Sequence, residues 1–496
     1  TIHKLEGYYH FLCPEKGKIR IQIFEDWYQK HQEEILNDFF AFLRFPSIST
    51  NKKYAQGIRK TVDWLSAYMK KIGLTVDIWE TSHFPVIFGS YLKADSNRPT
   101  LLIYHHYDVQ PVDPIDLWDN DPFDPILKNN CVYARGASDN KGQCFYSLTA
   151  LKAYLELSKQ IDINIKIIIE GEEESNSKGL KEILNTKTKE LKADYLVIVD
   201  SGIPSLASPA ITLGMRGIAT IEVTCKNSFV DLHSGSHGGI ALNPNRVLAK
   251  LLANMWDSSG RVAIPHFYDE VQPALKSWTS FLDMTFDQNR YTKEFGVHAF
   301  AHEEGYSFLE SNWLRPTVEI TGMWGGYIEA GFKTVIPSVA HAKISCRLVP
   351  KQDPQKVVQS IVEYFKKQAP PGINISCKTE EGYGAFCCFP DSVIAKTVVL
   401  AYQEIFKNPC KYIACGGSVP IIPDLTTASS AETIIMGVSL STNNIHAPNE
   451  HFSLECFKLG FLVMTNIFTR LSEQGDKEKD FWSKEKQSKG VSLDRT

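Results

Sequence analysis

The chain has 496 residues, 43% hydrophobic and 22% charged, close to globular averages, which excludes a single small module and a fibrous or disordered chain. Its 53 basic and 57 acidic residues leave a formal charge of −4, without the basic excess that binding to phosphate backbones demands, so nucleic acid is excluded as the main partner. No run approaches the ~18 consecutive apolar residues of a membrane span, and eleven cysteines without paired CxxC spacing point to reduced thiols in a cytoplasmic protein.

In chain order, the stretch Thr1–Arg20 is interrupted by Lys4, Glu6, Glu15 and Lys16, which argues against a secretory signal. Helical periodicity then marks Glu25–Leu43 (Trp27, Ile35, Phe39, Leu43) and Thr61–Ile72 (Val62, Leu65, Tyr68, Met69). Strand-like and helix-like stretches alternate from there: strand Leu101–Tyr104, helix Gly142–Leu157, strand Ile163–Ile169, helix Gly179–Leu184, strand Tyr195–Val199. This rhythm predicts an α/β domain. After Asp200 longer β-type runs take over (Ile218–Thr224, Thr317–Ile320, Ala342–Leu348), with helix-like stretches at Arg246–Trp256 and Pro354–Lys367. The α/β rhythm returns in Val393–Phe406 and Phe457–Leu471, and Ser472–Thr496, broken by Phe481 and Trp482, reads as a polar frayed tail. The expected organisation is a catalytic domain over 1–213 and 381–496, interrupted by an inserted α+β domain over 214–380.

Open α/β sheets bind ligands beyond the carboxyl ends of their strands, and three predicted strands run there into residues able to hold a metal. Leu101–Tyr104 is followed by His105-His106-Tyr-Asp108, Ile163–Ile169 by Glu170-Gly-Glu172-Glu173-Glu174, and Tyr195–Val199 by Asp200. A glycine-bounded loop, Gly136 to Gly142, carries Asp139, and the segment Asn443 to Glu450 carries His446. Singly, each also suits a structural role: a hydrogen-bonded core histidine, a solvated acidic loop, an N-cap, a turn. Together at one sheet edge they describe an imidazole and carboxylate site for a pair of divalent cations such as zinc or manganese. Asp108, two residues from His106 on an extended segment, is placed to hold the other ring nitrogen. Of the adjacent Glu173 and Glu174, one can ligate while the other takes a proton as general base.

The residues resemble the di-metal metallopeptidase family that includes carnosine dipeptidases, bacterial dipeptidases, carboxypeptidase G-type enzymes, aminoacylases and succinyl-diaminopimelate desuccinylase, with the cytosolic nonspecific dipeptidase branch nearest. The resemblance spans about Leu101 to Leu471 and is carried by His106-Tyr-Asp108-Val-Gln-Pro111, Ser138-Asp139-Asn-Lys-Gly142, Glu173-Glu174-Ser175, Asp231-Leu-His233-Ser-Gly235, Lys333-Thr334-Val-Ile-Pro337, Arg347-Leu-Val-Pro350 and Gly416-Gly-Ser418-Val-Pro420. It implies a mostly parallel mixed sheet flanked by helices, an inserted lid and dimerisation domain, and two divalent ions bridged by Asp139. His106 and Asp200 would complete one site, Glu174 and His446 the other, with Glu173 as catalytic base and Asp108 as orienting carboxylate. It further implies a homodimer in which His233 reaches across to the substrate, with Thr334, Arg347, Ser418 and His446 at substrate-contacting positions, and dipeptides or short peptides as substrates. Deacylation of N-acyl amino acids is the alternative within the family, and a non-catalytic binding protein the alternative outside it. Two departures stand out: His105 occupies a usual glycine position, and Ala414-Cys415 replace an arginine-acid pair before Gly416.

Overall fold

A computed structural model describes residues 14–158, 161–271 and 284–474, so the first residues and most of the polar tail, with Phe481 and Trp482, lie outside the described residues. In chain order the elements used below are α1 (Pro14–Leu43), α2 (Ala55–Lys71), β1 (Thr75–Trp79), β2 (Val86–Tyr91), β3 (Thr100–His106), α3 (Lys141–Ser158), β4 (Asn164–Glu170), β5 (Tyr195–Val199), β6 (Gly217–Lys226), α4 (Pro244–Ala253), β7 (Thr317–Gly325), β8 (Val339–Leu348), α5 (Pro354–Gln368), β9 (Asn374–Thr379), α6 (Val393–Phe406), β10 (Glu432–Met436) and α7 (Leu454–Glu473). The chain divides into two compact units: one holds the described residues up to Thr212, Cys388–Lys411 and those from Asp424, the other Leu213–Cys387 and Tyr412–Pro423.

The first unit is built on a mixed sheet in the order β1-β2-β4-β3-β5-β10. Strands β4, β3, β5 and β10 run parallel, whereas β2 pairs antiparallel with β4 and β1 with β2. Every residue of β4 is buried, as are all but the first of β3 and β5, the signature of strands covered on both faces. Strands β1, β2 and β10 carry no signal in the sequence reading; β1 sits at the sheet edge with an exposed pattern, so the alternation that marks a half-buried strand is missing.

Helix α3 is buried through its first fourteen residues, as a helix with apolar positions all round must be, and packs against α7, α1 and β3. Phe145 is its central contact, with ring centroids 5.7 Å from Phe39, 5.2 Å from Tyr68 and 6.1 Å from Phe457. Helix α1 begins earlier than the periodicity predicts, and its buried residues Phe24, Trp27, Tyr28, Ile35, Phe39 and Phe42 follow the expected three-to-four spacing. The buried Lys141 ammonium donates to the carbonyls of Phe42 (3.2 Å) and Phe45 (2.7 Å), tying the end of α1 to the start of α3, where the site loop finishes.

The second unit contains a four-stranded antiparallel sheet in the order β7-β8-β6-β9. Burial alternates strictly along β6, and the inward set Ala219, Ile221, Val223 and Cys225 joins Leu248 and Leu251 of α4 and Ile361 and Phe365 of α5 in one core. Helix α5 starts by rule, with Asp353 accepting from the Gln355 amide and Pro354 in its first turn.

Phe145→Ala empties the centre of the α1, α3 and α7 packing and is expected to cost about 3–5 kcal/mol; a denaturant midpoint equal to the parent's would contradict this account of the core.

Candidate metal centre

The site lies in the first unit, at the carboxyl edge of β3, β4 and β5. His106 is the last residue of β3 and pairs in register with Glu170, the last of β4. The chain leaves β4 into a short turn, Glu173–Ser175, and leaves β5 directly into Asp200. The loop before α3 supplies Asp139 and, across a turn in the left-handed region, residue 446 supplies a histidine.

Two glycines shape the Asp139 loop. Gly136 has a φ of +85°, and a Cβ on Gly142 would meet the Ala137 carbonyl oxygen at 2.0 Å, so neither position accepts a side chain. Within the loop, the buried Glu450 carboxylate accepts from the amides of Gly136 (2.9 Å), Ser138 (2.9 Å) and Asp139 (3.0 Å) and from Arg135 Nη1 (2.9 Å). Sequence reasoning gave Glu450 and Arg135 no such role; the signal available was a glutamate four residues beyond the ligand histidine, facing a loop rich in free amides.

Two groups of ligand atoms result: His106, Glu173 and Asp200 form one, Asp139, Glu174 and His446 the other, with the atoms of each group within 4.8 Å of one another. Asp139 joins them, its Oδ1 3.1 Å from His106 Nε2 and its Oδ2 3.0 Å from His446 Nε2. His106 Nε2 lies 3.6 Å from Asp200 Oδ1, and His446 Nε2 lies 3.3 Å from Glu174 Oε1. Gln110 donates to Glu174 Oε2 at 2.7 Å, a contact the sequence reading did not anticipate.

Asp108 differs in detail from the sequence expectation. His106 Nδ1 lies 3.0 Å from the Asp108 backbone carbonyl and 3.4 Å from its carboxylate, so the carbonyl takes the ring proton. The Asp108 carboxylate instead accepts from the amides of Glu173 and Glu174, each at 3.1 Å. One residue thereby orients the histidine and anchors the acidic turn.

The electrostatics call for a cation. Four carboxylates (Asp139, Glu173, Glu174, Asp200) face two imidazoles, so with every group ionised the acids outnumber the rings. Burial, reinforced by neighbouring carboxylates, pushes the Glu173 carboxyl well above its ordinary range and Glu174 up to about 7. Burial likewise raises Asp200. Asp139 goes the other way: burial opposes ionisation, but hydrogen bonds from His106 and His446 prevail and hold its carboxyl below the usual range. The bonds that His446 donates to the Asp139 and Glu174 carboxylates raise it to about 10, and His106 rises despite its burial because Asp200, Asp108 and Asp139 surround it. Glu174 Oε1 is buried, with His446 Nε2 3.3 Å away. Imidazole nitrogen and carboxylate oxygen are the donor set that zinc and manganese accept, so the residues fit two divalent ions.

His105, beside these ligands, stays neutral, burial depressing its pKa to about 3. In the second unit, His233 pairs with Val335, and the Thr334 carbonyl accepts from the Ser234 amide at 3.0 Å. His233 Nδ1 accepts from the amides of Gly235 (3.1 Å) and Ser236 (3.2 Å), which places the proton of the neutral ring on an exposed Nε2. Arg347 Nη1 donates to Ser418 Oγ at 2.9 Å, and that hydroxyl donates to the Arg216 carbonyl.

Cation binding here must displace protons from Glu174 and the two imidazoles. Affinity is therefore expected to fall as pH drops from about 10, the His446 value, and further through about 7, the Glu174 value, with proton release measured by titration calorimetry in buffers of different ionisation enthalpy. Binding at pH 6 with no proton released would contradict the charge assignment.

The comparisons with known proteins agree with this geometry. Peptidase family M20/M25/M40 matches residues 102–470. The Beta-Ala-His dipeptidase of Mus musculus is 34% identical over 400 residues, 79% of this chain and 80% of that protein. The Cys-Gly metallodipeptidase DUG1 of Candida albicans is 26% identical, covering 87% of this chain and 93% of its own. Among solved structures, the M20 family metallo-carboxypeptidase Sso-CP2 of Sulfolobus solfataricus superposes with a TM-score of 0.79 at 30% identity, covering 88% of this chain and 99% of its own. The chain belongs to peptidase family M20/M25/M40 and is a metallopeptidase.

Proposed function

We propose that the chain holds two divalent cations, zinc or manganese, per protomer and uses them to hydrolyse the amide bond of dipeptides or similarly short peptides. The observation that carries this reading is Asp139, with one carboxylate oxygen toward His106 and the other toward His446, the arrangement a bridged pair of ions needs. His106 and Asp200 complete one site, Glu174 and His446 the other. When bound, such ions polarise a carbonyl oxygen and lower the pKa of water. The dipeptidase relatives support dipeptides as the substrate class.

Glu173 is the general base in this reading. Its burial favours the protonated form, so a proton taken from the attacking water is held and then delivered to the leaving amine. The amide anchor from Asp108 keeps the Glu173 backbone fixed through that exchange. In the second unit, Arg347 offers a planar fork for a substrate carboxylate, set by Ser418, with Thr334 as a further substrate contact; His446 of the first unit is another. The exposed Nε2–H of His233 suits a tetrahedral oxyanion.

A homodimer follows from the family resemblance, and on the second unit Phe229, Ile240, Ile328 and Phe332, 98, 82, 82 and 105% exposed, are apolar side chains that association would cover. In that dimer His233 serves the partner's substrate. A cytoplasmic location is supported by the free cysteines among the described residues; no described helix is long and apolar enough to cross a membrane.

Glu173→Gln is expected to keep its cations by elemental analysis while losing about 10²–10⁴-fold in turnover of dipeptides; near-parent turnover would remove the base assignment. Dipeptides tested beside N-acetyl and N-succinyl amino acids, before and after chelation, separate peptidase from deacylase, and a cation-loaded protein inert on all of them would favour a binding role. His233→Ala alone should also be inactive, and exchange with Glu173→Gln protomers should restore activity; no recovery in heterodimers rules out the crossing.

A further inference from the structure

His105 is fully buried on β3 and projects from the opposite face of the strand to His106. Its Nδ1 lies 3.1 Å from Asn140 Oδ1. The Asn140 amide nitrogen is committed elsewhere, donating at 2.8 Å to the Val199 carbonyl and at 2.8 Å to Asp200 Oδ1. Both of those partners are acceptors, so the orientation of the amide is forced and the atom facing His105 is the carbonyl oxygen. That oxygen needs a donor, which fixes the His105 proton on Nδ1. Nε2 is then a bare lone pair, buried with no hydrogen-bond partner among the described residues.

A buried nitrogen without a partner lowers stability, whereas an apolar side chain at the same place carries no such cost. Packing is therefore a poor reason for a histidine here, and the useful atom is Nδ1. We propose that His105 is a positioning residue for Asp200: its Nδ1–H locks the Asn140 amide, and the locked amide fixes the Asp200 carboxylate in the orientation that receives a cation. The chain of contacts runs His105, Asn140, Asp200, and the position taken by glycine in the resembling family here extends the support behind a ligand. This rests on the reading of Asp200 as a cation ligand.

The test uses the full chain loaded with Zn²⁺ or Mn²⁺, with cation content per protomer and release to a chelator as readouts. His105→Leu keeps bulk and removes the donor, while His105→Asn returns an N–H near the place of Nδ1. The expected result is that His105→Leu releases one of its two cations about 10- to 100-fold more readily and that His105→Asn restores parent retention. Parent-like retention of both cations by His105→Leu overturns the proposal. So does retention by His105→Asn as weak as that of His105→Leu when the chelated His105→Asn protein melts like the parent, because the returned N–H then does nothing for the cation. If His105→Leu does not fold, His105→Ala against His105→Asn decides by the same readouts. Asp200→Ala separates the two levels: if it keeps both cations, the ligand reading itself has failed, and if it loses one while His105→Leu does not, only the positioning role has.

Discussion

Everything at the sheet edge depends on holding like charges together. Four carboxylates within reach of two imidazoles repel one another and resist burial, and the fold concentrates them by ending three parallel strands at one level. The arrangement is unfavourable on its own and becomes favourable with counter-charge in place, so binding energy and folding energy are coupled. Asp139 is where the conflict is sharpest and best resolved, because each of its oxygens already faces an imidazole.

The surrounding charges do a different task. Asp108 and Glu450 spend their carboxylates on backbone amides, and Arg135 and Lys141 are buried against a carboxylate and against carbonyls. These four act on the chain rather than on a ligand. They convert loops, which ordinarily fluctuate, into supports as fixed as the strands they follow. The division into residues that face the cluster and residues that hold its backbone explains why a short stretch such as Asp108 to Pro111 is dense in polar groups.

Much of this was legible in the sequence because strands buried on both faces read as unbroken apolar runs, and a polar residue directly after such a run is conspicuous. His106, Asp200 and the Glu173–Glu174 pair stand out for that reason, and family resemblance assigned Asp139 and His446. Strands β1, β2 and β10 were not legible: they are short, and β1, at the sheet edge, is too exposed to show alternation. The roles of Glu450, Gln110 and the Asp108 carboxylate were hidden for another reason. A side chain that accepts from backbone amides leaves no mark in the identity of the residue it serves, since every residue but proline carries the same N–H.

The clasp between Glu450 and the loop at 135–139 joins positions 311 to 315 residues apart. During synthesis, at roughly 5–20 residues per second, the nascent chain carries the Asp139 loop for many seconds before Glu450 leaves the ribosome. A truncated product ending short of that residue leaves the loop amides of Gly136, Ser138 and Asp139 without their acceptor. Until Glu450 is made the amides of that loop have no partner in it, so the order within 135–139 depends on a residue made long after it.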